Sequence, residues 1–515
     1  MGSAQLIGCA REPRLVGDGD VQERALADRV ESLTREERAS LARALERRRS
    51  ASAEIPRRTD PGQAPLSFSQ ESLWFLEQWN PGAPTNHGTR AVRLQGELDA
   101  AALESALQAI VARHESLRTV YIVEDRRPLQ FAQDDWTLTM PVVDLGDTDT
   151  SELETELARR LREESRRPFD LEADLMIRPV LFRLAPTEHV LLLTLHHIAA
   201  DGWSGSVMNR DLAEVYAAHR AGREPELPEL PIQYADFAVW QRKRLAGEAL
   251  EELLRFWRTA LDGASDRLRL PTDRARPAVQ MHRGSHLQVS YRRELVDAVA
   301  RLARDEGATP YMVLLAAFST LLYRFGGQDD VLVGTPVANR TRVELENLIG
   351  FFSNTLVVRS RLGGNPTFRE LLRRVRGSAV GAYEHQELPF EKLVEHLRVE
   401  RDPAYNPLFQ VNFRASSGPR ETLALTGLSA SPVEVDIGFS RFDLALELEM
   451  GSDMLAGYFE YDQDLFERST IESLSSDFGS LLAAIAADPD TPILALAPTG
   501  RPRPRPARTI SRTSN

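Results

Sequence analysis

Short, largely apolar runs alternate with helix-length segments along this chain, and that alternation points to an α/β fold. Val180–Leu184 and Val190–Leu195 have the length and apolar content of buried strands bounded by polar residues. Helical spacing runs through Ala100–His114, where Ala102, Leu103, Ala106, Leu107, Ile110 and Val111 form the apolar positions, and through Glu152–Arg167 and Val207–His219. Pro225, Pro228 and Pro231 mark a connection, and beyond it the alternation starts again. Thr309-Pro310 caps an apolar helix, Tyr311–Phe325, with Gly326-Gly327 as its stop and Val331-Leu332-Val333-Gly334 as the next buried strand. Helices over Thr367–Tyr383 and Phe390–Leu397, an alternating strand over Leu444–Met450 and a last helix over Ile471–Ala487 follow. A chain of 515 residues exceeds what one core usually supports, so two successive α/β lobes are expected, over 65–230 and 231–497.

The flanks read as peripheral. Residues 1–64 hold a charged helix and a linker: Thr34 with Glu37 fits a capping box, Leu41 and Leu45 share a face, and Pro56–Pro65 is rich in breakers. Residues 498–515, with Arg-Pro repeats over Arg501–Pro506, read as a disordered tail. The net charge of −13 argues against a nucleic-acid binder. Cys9 is the only cysteine, which excludes a disulfide framework. Neither a signal peptide nor a membrane-length apolar stretch is visible, so a cytoplasmic protein without a membrane partner is expected.

The chemistry is expected where the Val190–Leu195 strand ends, at His196-His197-Ile198-Ala199-Ala200-Asp201-Gly202-Trp203-Ser204. An imidazole titrates near neutral pH, and a strand end aims side chains into a cleft. From spacing alone, three readings stand: structural histidines, a metal site and a catalytic pair. A lone cysteine and the lack of a His-Glu-x-x-His helix weigh against the metal.

The same loop resembles the His-His-x-x-x-Asp-Gly signature of nonribosomal peptide synthetase condensation domains. Six further stretches are similar to that family's motifs and stand in its order. They are Leu66–Leu76, Arg113–Tyr121, Tyr234–Trp240, Ile349–Arg359, His385–Glu391 and Arg401–Leu408. The resemblance covers about residues 65–495. It implies two chloramphenicol-acetyltransferase-like lobes forming a V-shaped pseudo-dimer with a central tunnel. It also implies a donor peptidyl carrier protein, and an acceptor that is a second carrier or a soluble small molecule. Ser69 and Ser72 stand where the family usually has alanine and arginine, and Ser353 stands where it has valine. Gly202 fits condensation better than epimerisation, and His196 argues against heterocyclisation.

The resemblance also distributes roles. His197 acts on the nucleophile, as a base or by holding it in line; His196 orients the loop. Asp201 is structural and pairs with Arg340 of the second lobe. Gly202 clears space for the thioester, and its N–H is a candidate oxyanion donor. Trp203, Ser204, Ser353 and Asn354 are candidate tunnel or substrate contacts. No metal and no bound cofactor are expected; the acyl group arrives as a phosphopantetheine thioester, so no ATP is needed. The chain lacks a phosphate-binding Gly-x-x-x-x-Gly-Lys loop, a Gly-x-Ser-x-Gly elbow and a carrier attachment site. The function expected is that of a free-standing condensation enzyme in the assembly of antibiotics or other secondary metabolites, joining an acyl thioester to an amine or hydroxyl. The alternative is a non-catalytic scaffold that recruits tailoring enzymes to a carrier.

Overall fold

A computed structural model describes residues 54–496 apart from 83, 401, 418–422 and 452. The expected N-terminal helix, Cys9, Arg401 and the Arg-Pro tail lie outside the described residues. The chain divides into units 1–55 and 56–515, and everything below concerns the second.

Its elements run in order: β1 (Ala64–Pro65), α1 (Phe68–Trp79), β2 (His87–Gln95), α2 (Ala100–Arg113), β3 (Thr119–Glu124), β4 (Arg127–Ala132), β5 (Val142–Asp144), α3 (Leu153–Arg166), β6 (Ile177–Ala185), β7 (Glu188–His196) and α4 (Gly202–Ala221). Then come α5 (Tyr234–Arg244), α6 (Gly247–Leu261), β8 (Gly284–Arg292), α7 (Arg293–Asp305), α8 (Pro310–Gly326), β9 (Asp330–Val337), α9 (Val343–Glu346) and β10 (Asn354–Arg361). The chain closes with α10 (Phe368–Glu384), α11 (Phe390–Leu397), β11 (Val411–Ser417), β12 (Ser429–Val433), β13 (Leu444–Met450), β14 (Met454–Asp462) and α12 (Arg468–Ala487).

The apolar run of β7 has a direct cause. Its sheet is covered on both faces, so inward and outward residues are alike apolar. Leu191 and Leu193 pack with Leu107 and Ile110 of α2 and Val207 and Leu212 of α4. Val190 and Leu192 pack on the other face with Leu157 and Leu161 of α3. In the second half, α8 is buried through Met312–Leu322 because the β9 side, α7, α10 and α12 surround it. Thr309 caps it by accepting from the Met312 N–H, and Gly327 ends it at φ 78°.

The five-stranded sheet has the order β12-β2-β7-β6-β5, and the six-stranded sheet has β10-β9-β11-β13-β14-β8. The chain leaves the larger sheet after β11, lends β12 to the smaller sheet, and returns as β13. Ser429–Val433 pairs antiparallel with Ala91–Gln95. A strand from within 231–497 thus completes the sheet that carries β7.

One helix starts earlier than its apolar spacing predicts. The pattern places it over Val207–His219, but α4 begins at Gly202 with Asp201 as its N-cap. Asp201 Oδ1 accepts from the Ser204 N–H at 2.8 Å, and Ser204 Oγ accepts from the Asp201 N–H at 3.2 Å. Polar caps carry no hydrophobic periodicity, so the spacing alone misses the first turn. Among the described residues no helix is long and apolar enough to cross a membrane.

Candidate active site

His197 follows the last residue of β7. The antiparallel register sets His87 beside His196 and Gly88 beside Leu195. The His197 N–H donates to the Asn86 carbonyl at 2.7 Å, which extends the β2–β7 pairing past the strand end. The His197 ring lies against Gly88: a Cβ there would stand 3.3 Å from Cε1. Any side chain at 88 would crowd the imidazole. His197 Nδ1 is 3.1 Å from the Ala200 carbonyl, which can only accept, so Nδ1 carries the hydrogen and Nε2 keeps its lone pair. Desolvation and then the Arg441 guanidinium push the ring down to about 4, against the Ala200 hydrogen bond. The imidazole is neutral at pH 7.

His196 points the other way, into the first lobe. It is fully buried, and its Nδ1 accepts from the Ile198 N–H at 3.1 Å. Its Nε2 lies 3.7 Å from Glu77 Oε2, and its ring meets Phe169 and His87 edge-on. The next carbonyl, Ile198 O, accepts from Gln70 Nε2 at 3.2 Å and from Tyr121 OH at 3.3 Å. The Leu66–Leu76 and Arg113–Tyr121 stretches therefore meet at the backbone of the His-His loop.

Asp201 is an inter-lobe clasp. Its Oδ1 accepts from Ser204 N–H and, at 3.1 Å, from Arg340 Nη2. Its Oδ2 accepts from the N–H groups of Phe352 and Ser353, each at 3.1 Å, and from Ser353 Oγ at 3.3 Å. The side chains of Asp201 and Arg340 are each 1% exposed. Arg340 also donates to the Leu345 and Leu348 carbonyls and lies over the Phe352 ring. Two charges this buried need several partners, and both have them.

The strap 349–353 is bonded residue by residue. Ile349 N–H donates to His114 Nδ1 at 3.2 Å, and Ile349 O accepts from Ser116 Oγ at 2.8 Å. Gly350 N–H donates to Ser204 Oγ at 3.1 Å, and that hydroxyl lies 2.9 Å from Gly350 O. Phe351 O accepts from Tyr234 OH at 2.6 Å. Gly350 must lack a side chain, since a Cβ would stand 2.1 Å from the Tyr234 ring.

These contacts decide what the other candidate side chains touch. Ser204 is buried and its hydroxyl is engaged by Asp201, Gly350 and Arg340. Asn354 faces the loop behind it: its amide donates to Gln386 O at 2.8 Å and Leu388 O at 2.6 Å, and its oxygen accepts from Phe390 N–H at 3.0 Å. Ser353 binds Asp201. The polar groups of these three are taken up by the fold. Trp203 is 44% exposed and donates from Nε1 to Glu346 O at 2.9 Å. At Gly202 a Cβ would meet Arg414 Nη2 alone, at 3.7 Å, so the space before it is bordered by that arginine.

Sequence reasoning missed Asn86, Gly88, Glu77, Arg414 and Arg441. Each acts through a backbone group, a bare face or a long-range contact, so no local pattern marks them. Tyr234, the first residue of the Tyr234–Trp240 stretch, supplies a hydroxyl to the strap.

The molecule is a two-lobed α/β protein with a lone-pair-bearing histidine at a strand end beside a helix N-terminus. The Condensation domain family model matches residues 61–498, and the chain belongs to the condensation-domain family. A linear gramicidin synthase from Brevibacillus parabrevis is 45% identical over 436 residues, covering 84% of this chain and 8% of that protein. The chain thus spans a small part of such multidomain relatives. Among solved structures, the X-domain in its complex with OxyB from teicoplanin biosynthesis matches with TM-score 0.78 and 32% identity over 86% of this chain and 98% of that one. SgcC5 of Streptomyces globisporus matches with TM-score 0.68 and 31% identity over 83% of this chain and 100% of that one. The fold is that of condensation domains, built on chloramphenicol-acetyltransferase-like lobes.

The geometry of His197 and Asp201 fixes two expected outcomes. With the folded value near 4 against 6.5 unfolded, His197 favours the fold above pH 6.5, and that contribution is lost as pH falls towards 4. Long-range nitrogen NMR of the imidazole will therefore find the Nδ1–H tautomer from pH 7 down to about 5; a protonated ring at pH 6 would refute the assignment. Asp201→Ala strands a buried guanidinium and will cost about 3–5 kcal/mol in denaturant unfolding. In Asp201→Ala/Arg340→Met the combined loss will be clearly smaller than the sum of the two single losses.

Proposed function

We propose that this protein transfers an acyl group from a carrier-tethered thioester to an amine or hydroxyl acceptor, forming an amide or ester. The observation that carries the reading is His197: a neutral imidazole fixed at Nδ1 by Ala200 O, with Nε2 free to accept from a nucleophile. Asp201 starts α4 immediately beyond it, so the helix N-terminus adds a positive end and the Gly202 N–H near a developing oxyanion. The thioester supplies the driving force, and no cofactor enters the step. In this reading the lobes 65–230 and 231–497 flank a tunnel that the donor's phosphopantetheine arm enters. The acceptor is carrier-bound or soluble. Phe75, Leu76 and Trp79, exposed along α1, offer an apolar face to a protein partner.

A second reading is a scaffold without acyl transfer. Its support is the likeness to the X-domain, which was solved in complex with OxyB. Against it stands a loop whose histidine keeps the tautomer and the free lone pair that catalysis needs.

One experiment separates the two. The protein is mixed with an aminoacyl-loaded carrier and matched amine and alcohol acceptors, and products are followed by mass spectrometry. Transfer is expected, and His197→Ala will lower its rate on the order of 100-fold or more without weakening carrier binding. Capture of a tailoring enzyme with no transfer to any acceptor would instead establish the scaffold.

A further inference from the structure

We propose that Arg441 is a positioning residue for His197: it ties down the turn whose Asn86 carbonyl holds the His197 N–H, an inference that rests on the acyl-transfer reading.

The ladder between β2 and β7 ends at the pair His87–His196, one residue short of His197. The backbone of His197 is fixed instead by the turn before β2, through the bond from its N–H to Asn86 O at 2.7 Å. Two residues further along, Gly88 lies against its ring. A shift of residues 86–88 therefore carries the imidazole with it. Pro84–Asn86 is a single tight helical turn, too short to hold itself in place.

Arg441 reaches this turn from the segment between β12 and β13. Its Nη2 donates to Thr85 O and to Asn86 Oδ1, each at 3.2 Å. A charged donor makes stronger hydrogen bonds than a neutral one, and here it serves two successive residues. The arginine is itself aimed by its backbone. Its N–H donates to Glu460 Oε1 at 3.2 Å, and its carbonyl accepts from Asn406 Nδ2 at 2.7 Å.

The same stretch of chain holds β2 at its other end. Ser429–Val433 pairs with Ala91–Gln95. Between that pairing and Arg441, Arg162 of α3 donates to Asp436 O at 2.9 Å. β2 is thus splinted at Ala91–Gln95 and again at Thr85–Asn86, with Gly88 and the His197 ring between the two. After desolvation, the charge of Arg441 is the next cause that holds the His197 ring down, so the contact serves the protonation state as well as the place. A lone pair is useful only where it meets the nucleophile, and a misplacement of about 1 Å can cost on the order of 100-fold. Without the arginine, pairing with β7 still keeps β2 in its sheet, so the fold survives and the placement of His197 does not.

The test uses the full chain as wild type, Arg441→Met, Asn86→Ala and the double variant, with one loaded carrier and one acceptor. Asn86→Ala takes an acceptor from the arginine and leaves the carbonyl of residue 86 in place; it carries the test should Arg441→Met not fold. Each single variant will lose about tenfold in kcat with KM for the loaded carrier unchanged, and the double variant will lose no more than the larger single loss. Amide hydrogen exchange gives a readout that needs no turnover. The His197 amide will exchange about tenfold faster in the single variants, while that of Ile198, bonded to His196 Nδ1, keeps its rate. Three results each overturn the proposal: an unchanged kcat in a single variant, additive losses in the double variant, or an equal rise in exchange at both amides, as general loosening gives. Any of them beside a wild type that transfers defeats the proposal alone. A wild type that transfers to no acceptor defeats the acyl-transfer reading, and the proposal with it.

Discussion

The Asp201 carboxylate is the contact on which the site depends. It caps α4, neutralises Arg340 and accepts two backbone N–H groups of the strap. A buried carboxylate is tolerable only when its lone pairs are filled, and here Oδ1 is served from both lobes and Oδ2 from the second. The consequence is rigidity where a reaction needs it. His197 stands at the end of a strand whose next helix is bolted across the cleft four residues later. Ser204 and His114 carry the same bracing along the strap, so the loop cannot shift without breaking several bonds at once.

Electrostatics then set the state of the imidazole. Arg441 lowers His197 and is itself held between Asn86 and Asn406. A neutral imidazole with a free lone pair suits orienting a nucleophile. Desolvation is the larger cause of that lowering, as for any imidazole taken out of water.

Much of this is legible in the sequence, for reasons that differ by element. α8 announces itself through a Thr-Pro start, a continuous apolar run and a Gly-Gly stop, and α11 and β13 through their periodicity. β2 does not, since His-Gly-Thr-Arg at its start lacks alternation; its place is set by pairing with β7. α7 is missed despite a strong apolar stripe among its charges. In the site, Arg340 is nameable as a partner for Asp201 because charge seeks charge. The N–H groups of Phe352 and Ser353 are not, because main-chain donors are the same in every sequence. The resemblance makes Asn354 and Ser204 candidate tunnel or substrate contacts; in the fold their polar groups turn onto carbonyls and the clasp. Glu391 lies within a stretch that the family resemblance marks, but burial of one of its oxygens is a property of the fold alone.

The excursion of β12 has a consequence for recombination. Half of a related chain grafted at the connection near residue 230 would bring its own edge strand to β2. The Ser429–Val433 register against Ala91–Gln95 would then have to match between two parents. A mismatch leaves β2 as a bare sheet edge, which invites pairing with other chains. Exchange of a single lobe therefore carries a register constraint that exchange of both lobes together does not. Swaps that respect the interlaced strand, by moving 425–435 together with the first lobe, avoid that penalty.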